Sequence, residues 1–152
     1  MSLRVGTPMP ALDGATDWLN GKVDCASLLD SPTLIQFWAV SCPLCKTNMP
    51  QIRRWKDIYG LYNLVSVHVP RTEADTHLEL VQRVAEDHGI VEPCAVDNEL
   101  VISGHFETGG MWPYYFLFDS EGKMRCRAAG TGGLRFVEDS LKRLLRLTPS
   151  TL

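Results

Sequence analysis

The stretch Leu34-Ile35-Gln36-Phe37-Trp38-Ala39-Val40-Ser41-Cys42-Pro43-Leu44-Cys45-Lys46 decides the fold of this chain. Its first half is nearly continuous apolar, as expected of a central strand covered on both faces. Its second half reads as the start of a helix. Proline has no amide hydrogen to lose and its fixed φ suits the first helical position, so Pro43 predicts Cys42 as the N-cap residue. Unpaired amide hydrogens and the positive end of the helix dipole meet there, which favours an anion and predicts a depressed thiol pKa. Cys45 follows about one helical turn later. Its side chain returns over the same helix end, where it can attack a mixed disulfide formed at Cys42. Lys46 adds a nearby positive charge, a weaker helper. This arrangement is suited to thiol–disulfide exchange.

Downstream, Cys45, Met49, Ile52, Trp55 and Tyr59 recur at helical spacing and predict an inward stripe on a long helix. Pro50 interrupts that helix and predicts a kink, at a cost of about 3 kcal/mol unless packing offsets it. Residues 64–69 read as a second buried strand. Thr76 and Glu79 then form a capping-box pattern opening a helix that Gly89 ends, with Leu78, Val81 and Ala85 facing inward. Residues 93–96 read as a strand, residues 98–106 as a short helix weakened by Gly104, and residues 114–118 as an aromatic strand. The turn signal Asp119-Ser120-Glu121-Gly122 leads into 124–128, which alternate like a half-exposed antiparallel edge strand. A last helix carries Val137, Leu141 and Leu144 on one face. Upstream, residues 12–29 mix turn residues with short apolar pieces and predict an N-terminal hairpin plus a short segment before Pro32. Strands alternating with helices make this an α/β chain with a central mixed sheet wound by helical crossovers.

The sequence has 152 residues, of which 45% are apolar, enough to bury a core as one domain spanning residues 1–152. A net charge of −3 gives no electrostatic reason to expect nucleic acid or an anionic membrane as partner. No apolar stretch approaches the about eighteen residues of a membrane span, and the first residues lack the pattern of a signal peptide. The five cysteines are odd in number and only two lie close together. They do not read as a secreted disulfide framework, so a cytoplasmic location is expected, with an extracytoplasmic one as the alternative.

The chain resembles the TlpA/ResA-like thiol–disulfide oxidoreductases of the thioredoxin superfamily. The resemblance runs from about residue 6 to residue 147. It is carried by Pro8-Met9-Pro10, by Phe37-Trp38-Ala39 leading into Cys42-Pro43-Leu44-Cys45-Lys46, by Met49-Pro50, and by Trp112-Pro113 before the aromatic strand and Gly122. It implies a thioredoxin-like fold. It also implies an oxidoreductase that exchanges dithiol and disulfide with protein partners, in the reducing direction in preference to the oxidising one, drawing on an unidentified electron donor. No cofactor beyond a Cys42–Cys45 disulfide is implied, and no metal. Trp112–Pro113 is expected to be a cis bond in a loop facing the thiols, with the backbone before the proline pairing with an extended substrate. Trp38 and Trp112 are expected as apolar walls, although Trp38 reads equally well as core. Ser41 stands where close relatives often carry a second tryptophan, which predicts a more open and more polar rim.

Two positions depart from the family pattern. Gln36 occupies the place of the buried aspartate that thioredoxins use to handle the proton of the second cysteine, and Asn48 falls where many TlpA/ResA-like proteins carry a glutamate. Both are uncharged, so acid–base help is expected to be weak, because an amide takes no proton at neutral pH. Cys25, Cys94 and Cys126 read as small buried hydrophobes. The scattered His68, His77, His88 and His105 name no metal cluster. Glu73, Asp75, Glu86 and Asp87 read as solvated charges. A copper or zinc carrier using Cys42 and Cys45 is the alternative function, and a redox-inactive binding module a further one. A peroxidase is remote, because its Pro-x-x-x-Thr/Ser-x-x-Cys frame is missing.

Overall fold

The computed structural model describes residues 3–60, 62–130 and 132–147. Among them run strands β1 (Asp17–Leu19), β2 (Thr33–Trp38), β3 (Asn63–His68), β4 (Cys94–Val96), β5 (Tyr114–Phe118) and β6 (Met124–Ala129). The helices are α1 (Pro43–Tyr59), α2 (Leu78–Asp87), α3 (Val101–His105) and α4 (Gly133–Leu147). The strands form one mixed sheet in the order β1-β4-β3-β2-β5-β6. β2, β3 and β4 run parallel, while β5, β6 and β1 are antiparallel to their neighbours.

All six residues of β2 are buried, and alternation sends them to two cores. Ile35 and Phe37 join Val65, Val67, Phe106 and Phe116 on the face covered by α3 and the N-terminal segment. The rings of Phe37 and Phe106 stand 5.1 Å apart and those of Phe37 and Phe116 5.6 Å. Burying each such ring contributes about 2 kcal/mol. Leu34 and Trp38 point to the opposite face, against Ile52 and Trp55 of α1, Val137 and Leu141 of α4, and Val81 and Ala85 of α2. The helical stripes read from the sequence are the ones that pack. α1 continues through Pro50, which is exposed.

Three expectations are corrected. The N-terminal hairpin over 12–29 does not form. β1 instead joins the sheet edge antiparallel to β4, with Trp18 opposite Ala95. Asn20 then donates from Nδ2 to the carbonyls of Ile90 and Glu92 at 3.1 and 3.0 Å, so the chain is tied outward to that edge and cannot fold back on itself. Thr76 is not the cap of α2: its hydroxyl donates to the Glu73 carbonyl in a 3-10 turn, and His77 takes the N-cap position without a side-chain bond. Asp75 is no solvated charge, being 1% exposed. The end of α2 is as expected: Gly89, at φ +73°, donates to Glu86 and the next amide, Ile90, reaches back to Ala85.

Candidate active site

β2 delivers the chain from the middle of the sheet straight into the cysteine motif. The N-cap of α1 is Cys42, in extended conformation, with Pro43 at the first helical position. The Cys45 amide donates to the Cys42 sulfur at 3.2 Å, a charge-stabilising bond of the kind a thiolate at a helix end accepts. The two sulfurs stand at disulfide distance, with Cα atoms 5.4 Å apart. Each cysteine is 2% exposed. Cys42 opens on a cleft of about 450 Å³ lined also by Pro43, Leu44, Arg71, Met111 and Trp112.

Trp112 and Pro113 are brought to this cleft by the loop before β5, and the peptide bond between them is cis. The Trp112 indole donates to the Val69 carbonyl at 3.0 Å, which fixes its half-buried ring beside the cleft. Trp38 is different. It is 1% exposed, packs its ring on that of His68 at 4.7 Å, and lies in one cluster with Cys42, Cys45 and Met49. Of its two expected readings, core is the one its burial leaves, since it presents no surface to a partner. Lys46 is half-buried on the first turn.

The uncharged positions have acquired partners. Asn48 is buried and donates to the Tyr115 hydroxyl at 2.9 Å. Burial pushes that phenol up to about 12, and the bond from Asn48 opposes this. Gln36 donates to the Ser66 hydroxyl at 2.8 Å and to Glu92 Oε2 at 3.2 Å, and Ser66 in turn donates to the same carboxylate oxygen. A carboxylate therefore reaches the neutral residue of β2 from the segment before β4. Sequence reasoning missed Glu92, because only the sheet register sets Ser66 beside Gln36.

It also missed a polar girdle around the motif. The Ser41 hydroxyl donates to Asp75 at 2.6 Å, and the Arg71 amide donates to the same oxygen at 2.9 Å. Burial pushes the Asp75 carboxyl up, but the bonds from Ser41 and Arg71 and the nearby His68 outweigh it and hold it below the usual carboxylate value. The Val40 amide donates to His68 Nε2 at 3.0 Å. Burial holds that imidazole down at about 4, against the pull of Asp75.

Cys25, Cys94 and Cys126 are unpaired. Burial raises all three thiols, that of Cys94 to about 12, so they are poor thiolates at neutral pH. Among the described residues no three His, Cys, Asp or Glu side chains stand together as metal ligands, and no helix is long and apolar enough to cross a membrane.

Comparison with known proteins agrees with this geometry. A model of the AhpC/TSA family matches residues 5–127. The thiol-disulfide oxidoreductase YkuV of Bacillus subtilis (strain 168) is 38% identical over 148 residues, covering 96% of this chain and 99% of that protein. The solution structure of a thioredoxin-like protein in the oxidized form is similar with a TM-score of 0.88 at 38% identity, over 97% of this chain and 100% of that one. A secreted Mycobacterium tuberculosis disulfide oxidoreductase homologous to E. coli DsbE shares the fold alone, with a TM-score of 0.65 at 17% identity over 80% and 88% of the two chains. With a cysteine pair opening α1, its sheet order and these likenesses, the chain belongs to the AhpC/TSA family and has the thioredoxin-like fold.

Proposed function

We propose that this chain works as a thiol–disulfide oxidoreductase that reduces disulfides in partner proteins through Cys42 and Cys45. The single observation that carries the reading is the amide of Cys45 donating to the Cys42 sulfur at the tip of α1, with the second sulfur within bonding reach. In the reduced protein the Cys42 thiolate attacks one sulfur of the partner disulfide, and the other partner sulfur leaves as a thiolate. The Cys45 thiolate then attacks Cys42 in the mixed disulfide, the second partner thiolate leaves, and the Cys42–Cys45 bond closes. Two electrons pass to the partner, with two protons to follow.

Trp112 and the backbone before Pro113 serve as the resting surface for an extended substrate segment, together with the exposed Met111 on the same loop. Pro43 supports the site by opening α1 and Lys46 by its charge. Gln36 and Asn48 act through the buried partners described above, without titrating themselves. No cofactor is required beyond the disulfide. The reducing direction and a cytoplasmic location rest on three unpaired cysteines, which suit a reducing compartment. An extracytoplasmic location is the alternative.

Equilibration against glutathione buffers, read by intact mass, tests this reading. The expected result is a two-electron couple lying on the reducing side of the cytosolic glutathione poise, and a Cys45→Ser variant that accumulates mixed disulfides through Cys42. A couple far to the oxidising side would reverse the direction. No bond between Cys42 and Cys45 at any poise would overturn the reading.

A further inference from the structure

Arg71 has no part in the exchange as derived above, yet it is fixed beside the nucleophile from three sides. Its backbone amide is held by the buried Asp75, whose other donor is Ser41, the residue before Cys42. Its guanidinium donates from Nη1 to the Ser41 carbonyl at 2.9 Å. The same guanidinium lies 5.9 Å from the centre of the Trp112 ring, over the loop that carries Pro113. Two separate segments of the active-site rim therefore meet this side chain, and a third holds its backbone.

Arg71 is exposed and also lines the cleft that Cys42 opens on. Arginine carries five N–H donors in a planar fork, and one of them is used by Ser41. Among the described residues no carboxylate lies within ion-pair distance of it; the ion pair found is Arg125 with Asp119 on the other side of the fold. The other lining residues, among them Pro43, Leu44, Met111 and Trp112, carry no charge, and Cys42 carries one only as the free thiolate. A cation with no carboxylate partner, at the edge of a cleft that has no other charge once Cys42 is bonding to a substrate sulfur, selects an anionic group on whatever occupies it.

We propose that Arg71 is a specificity-determining residue: it selects protein disulfides in which a carboxylate side chain lies one or two residues from the attacked cysteine. The inference rests on the exchange reading and names the substrate class of that same site. The reacting sulfur must sit at Cys42, and successive Cα atoms of an extended segment are about 3.8 Å apart. A neighbouring Asp or Glu of that segment then comes within reach of the guanidinium at the cleft edge. The pair is partly exposed, so it discriminates modestly and is screened by salt.

The test uses the fully reduced protein and two peptides with one intramolecular disulfide, identical except for Glu or Gln next to the attacked cysteine. Single-turnover rates are divided by the rate of each peptide with dithiothreitol, which removes the effect of the neighbour on the disulfide itself. The thiolate fraction of Cys42 cancels in the ratio, so a mere change in its acidity does not move the result. The wild-type protein is expected to prefer the Glu peptide about fivefold, the scale of an exposed ion pair. Arg71→Ala is expected to bring the ratio near one, Arg71→Glu to invert it, and Arg71→Lys to keep part of it. Salt at about 0.5 M is expected to erase most of the preference.

Equal normalised rates for the two peptides with the wild type, or a preference that survives in Arg71→Ala, would overturn the proposal and leave the exchange reading standing. Reduction of neither peptide would overturn the exchange reading, and this proposal with it.

Discussion

The hydroxyl of Ser41 donates to Oδ2 of Asp75 at 2.6 Å, tying the residue before Cys42 to the loop that follows β3. Asp75 is 1% exposed, so its carboxylate depends on the donors around it. Ser41→Ala removes one of them. It is expected to raise the Asp75 carboxyl and cost about 2 kcal/mol, the usual worth of a hydrogen bond to a buried charge. Urea unfolding at neutral pH measures this, and a loss below about 0.5 kcal/mol would show that water replaces the hydroxyl freely.

Gln36, which is buried, and Glu92, which is half-buried, form a second such relationship, with 3.2 Å between Nε2 and Oε2. Gln36→Asp would replace a donor with a like charge beside Glu92. Two neighbouring carboxylates cannot both ionise easily, so one proton is retained toward neutral pH. The variant is expected to lose about 2–3 kcal/mol at pH 7 and less near pH 5, because the lost donor and the new repulsion act together. The retained proton also lies on the face of β2 that α1 covers. Attack by Cys45 on a mixed disulfide follows the Cys45 thiolate fraction in the wild type, and in Gln36→Asp it should acquire a second titration from the retained proton. Trapping kinetics would refute this account of the proton path if the pH profile of that step were the same in Gln36→Asp as in the wild type.

The two networks explain where the sequence was readable and where it was not. The cysteine motif was legible because strand end, N-cap, proline and second sulfur are contiguous, and local sterics decide them. The inward faces of α1, α2 and α4 were legible because helical period is a local property. Ser41 with Asp75, and Gln36 with Glu92, are separated by 34 and 56 residues, and only the parallel register of β2 with β3 and β4 brings them together. Asp75 reads as a solvated charge because composition cannot distinguish a charge in water from one held by two donors. The hairpin expected over 12–29 fails for a related reason. β1 is three residues long and takes its pairing from β4 far along the chain, where local turn signals carry no information. Trp38 reads equally as wall or core in the sequence, and strand alternation makes it core because α1 covers that face.

Gly89 closes α2 at φ +73°, a conformation that costs other L-residues about 1–2 kcal/mol. A Cβ there would also meet Arg53 Nη1 at 1.9 Å. That atom is the end of a flexible side chain, so the contact can be relieved by moving it, at the expense of its bond to the His88 carbonyl. The backbone term dominates. Gly89→Ala is expected to destabilise by about 1–2 kcal/mol, and Gly89→Asn by less, since asparagine tolerates the left-handed region better. Thermal unfolding of the pair checks the order; equal losses would assign the cost to the Arg53 contact instead.

The acid limb of the stability curve is set first by His68. In the folded chain burial holds its imidazole down at about 4, against 6.5 for the free residue. Between those values the unfolded chain binds the proton and the folded chain does not, so stability rises with pH across that window and falls as pH is lowered through it. The full loss below pH 4 is about 3 kcal/mol. Asp75 and Asp119 do not contribute in that range. Burial raises each carboxyl, but hydrogen bonds more than offset this and hold both below their ordinary value, so what they add is lost only at lower pH. His68→Gln removes the titrating ring and keeps a side-chain acceptor that can face the Val40 amide. It is expected to flatten the curve between pH 6.5 and 4 while leaving the steeper fall below pH 4. Urea midpoints taken across this range decide the matter, and an unchanged slope in His68→Gln would move the acid sensitivity to another group.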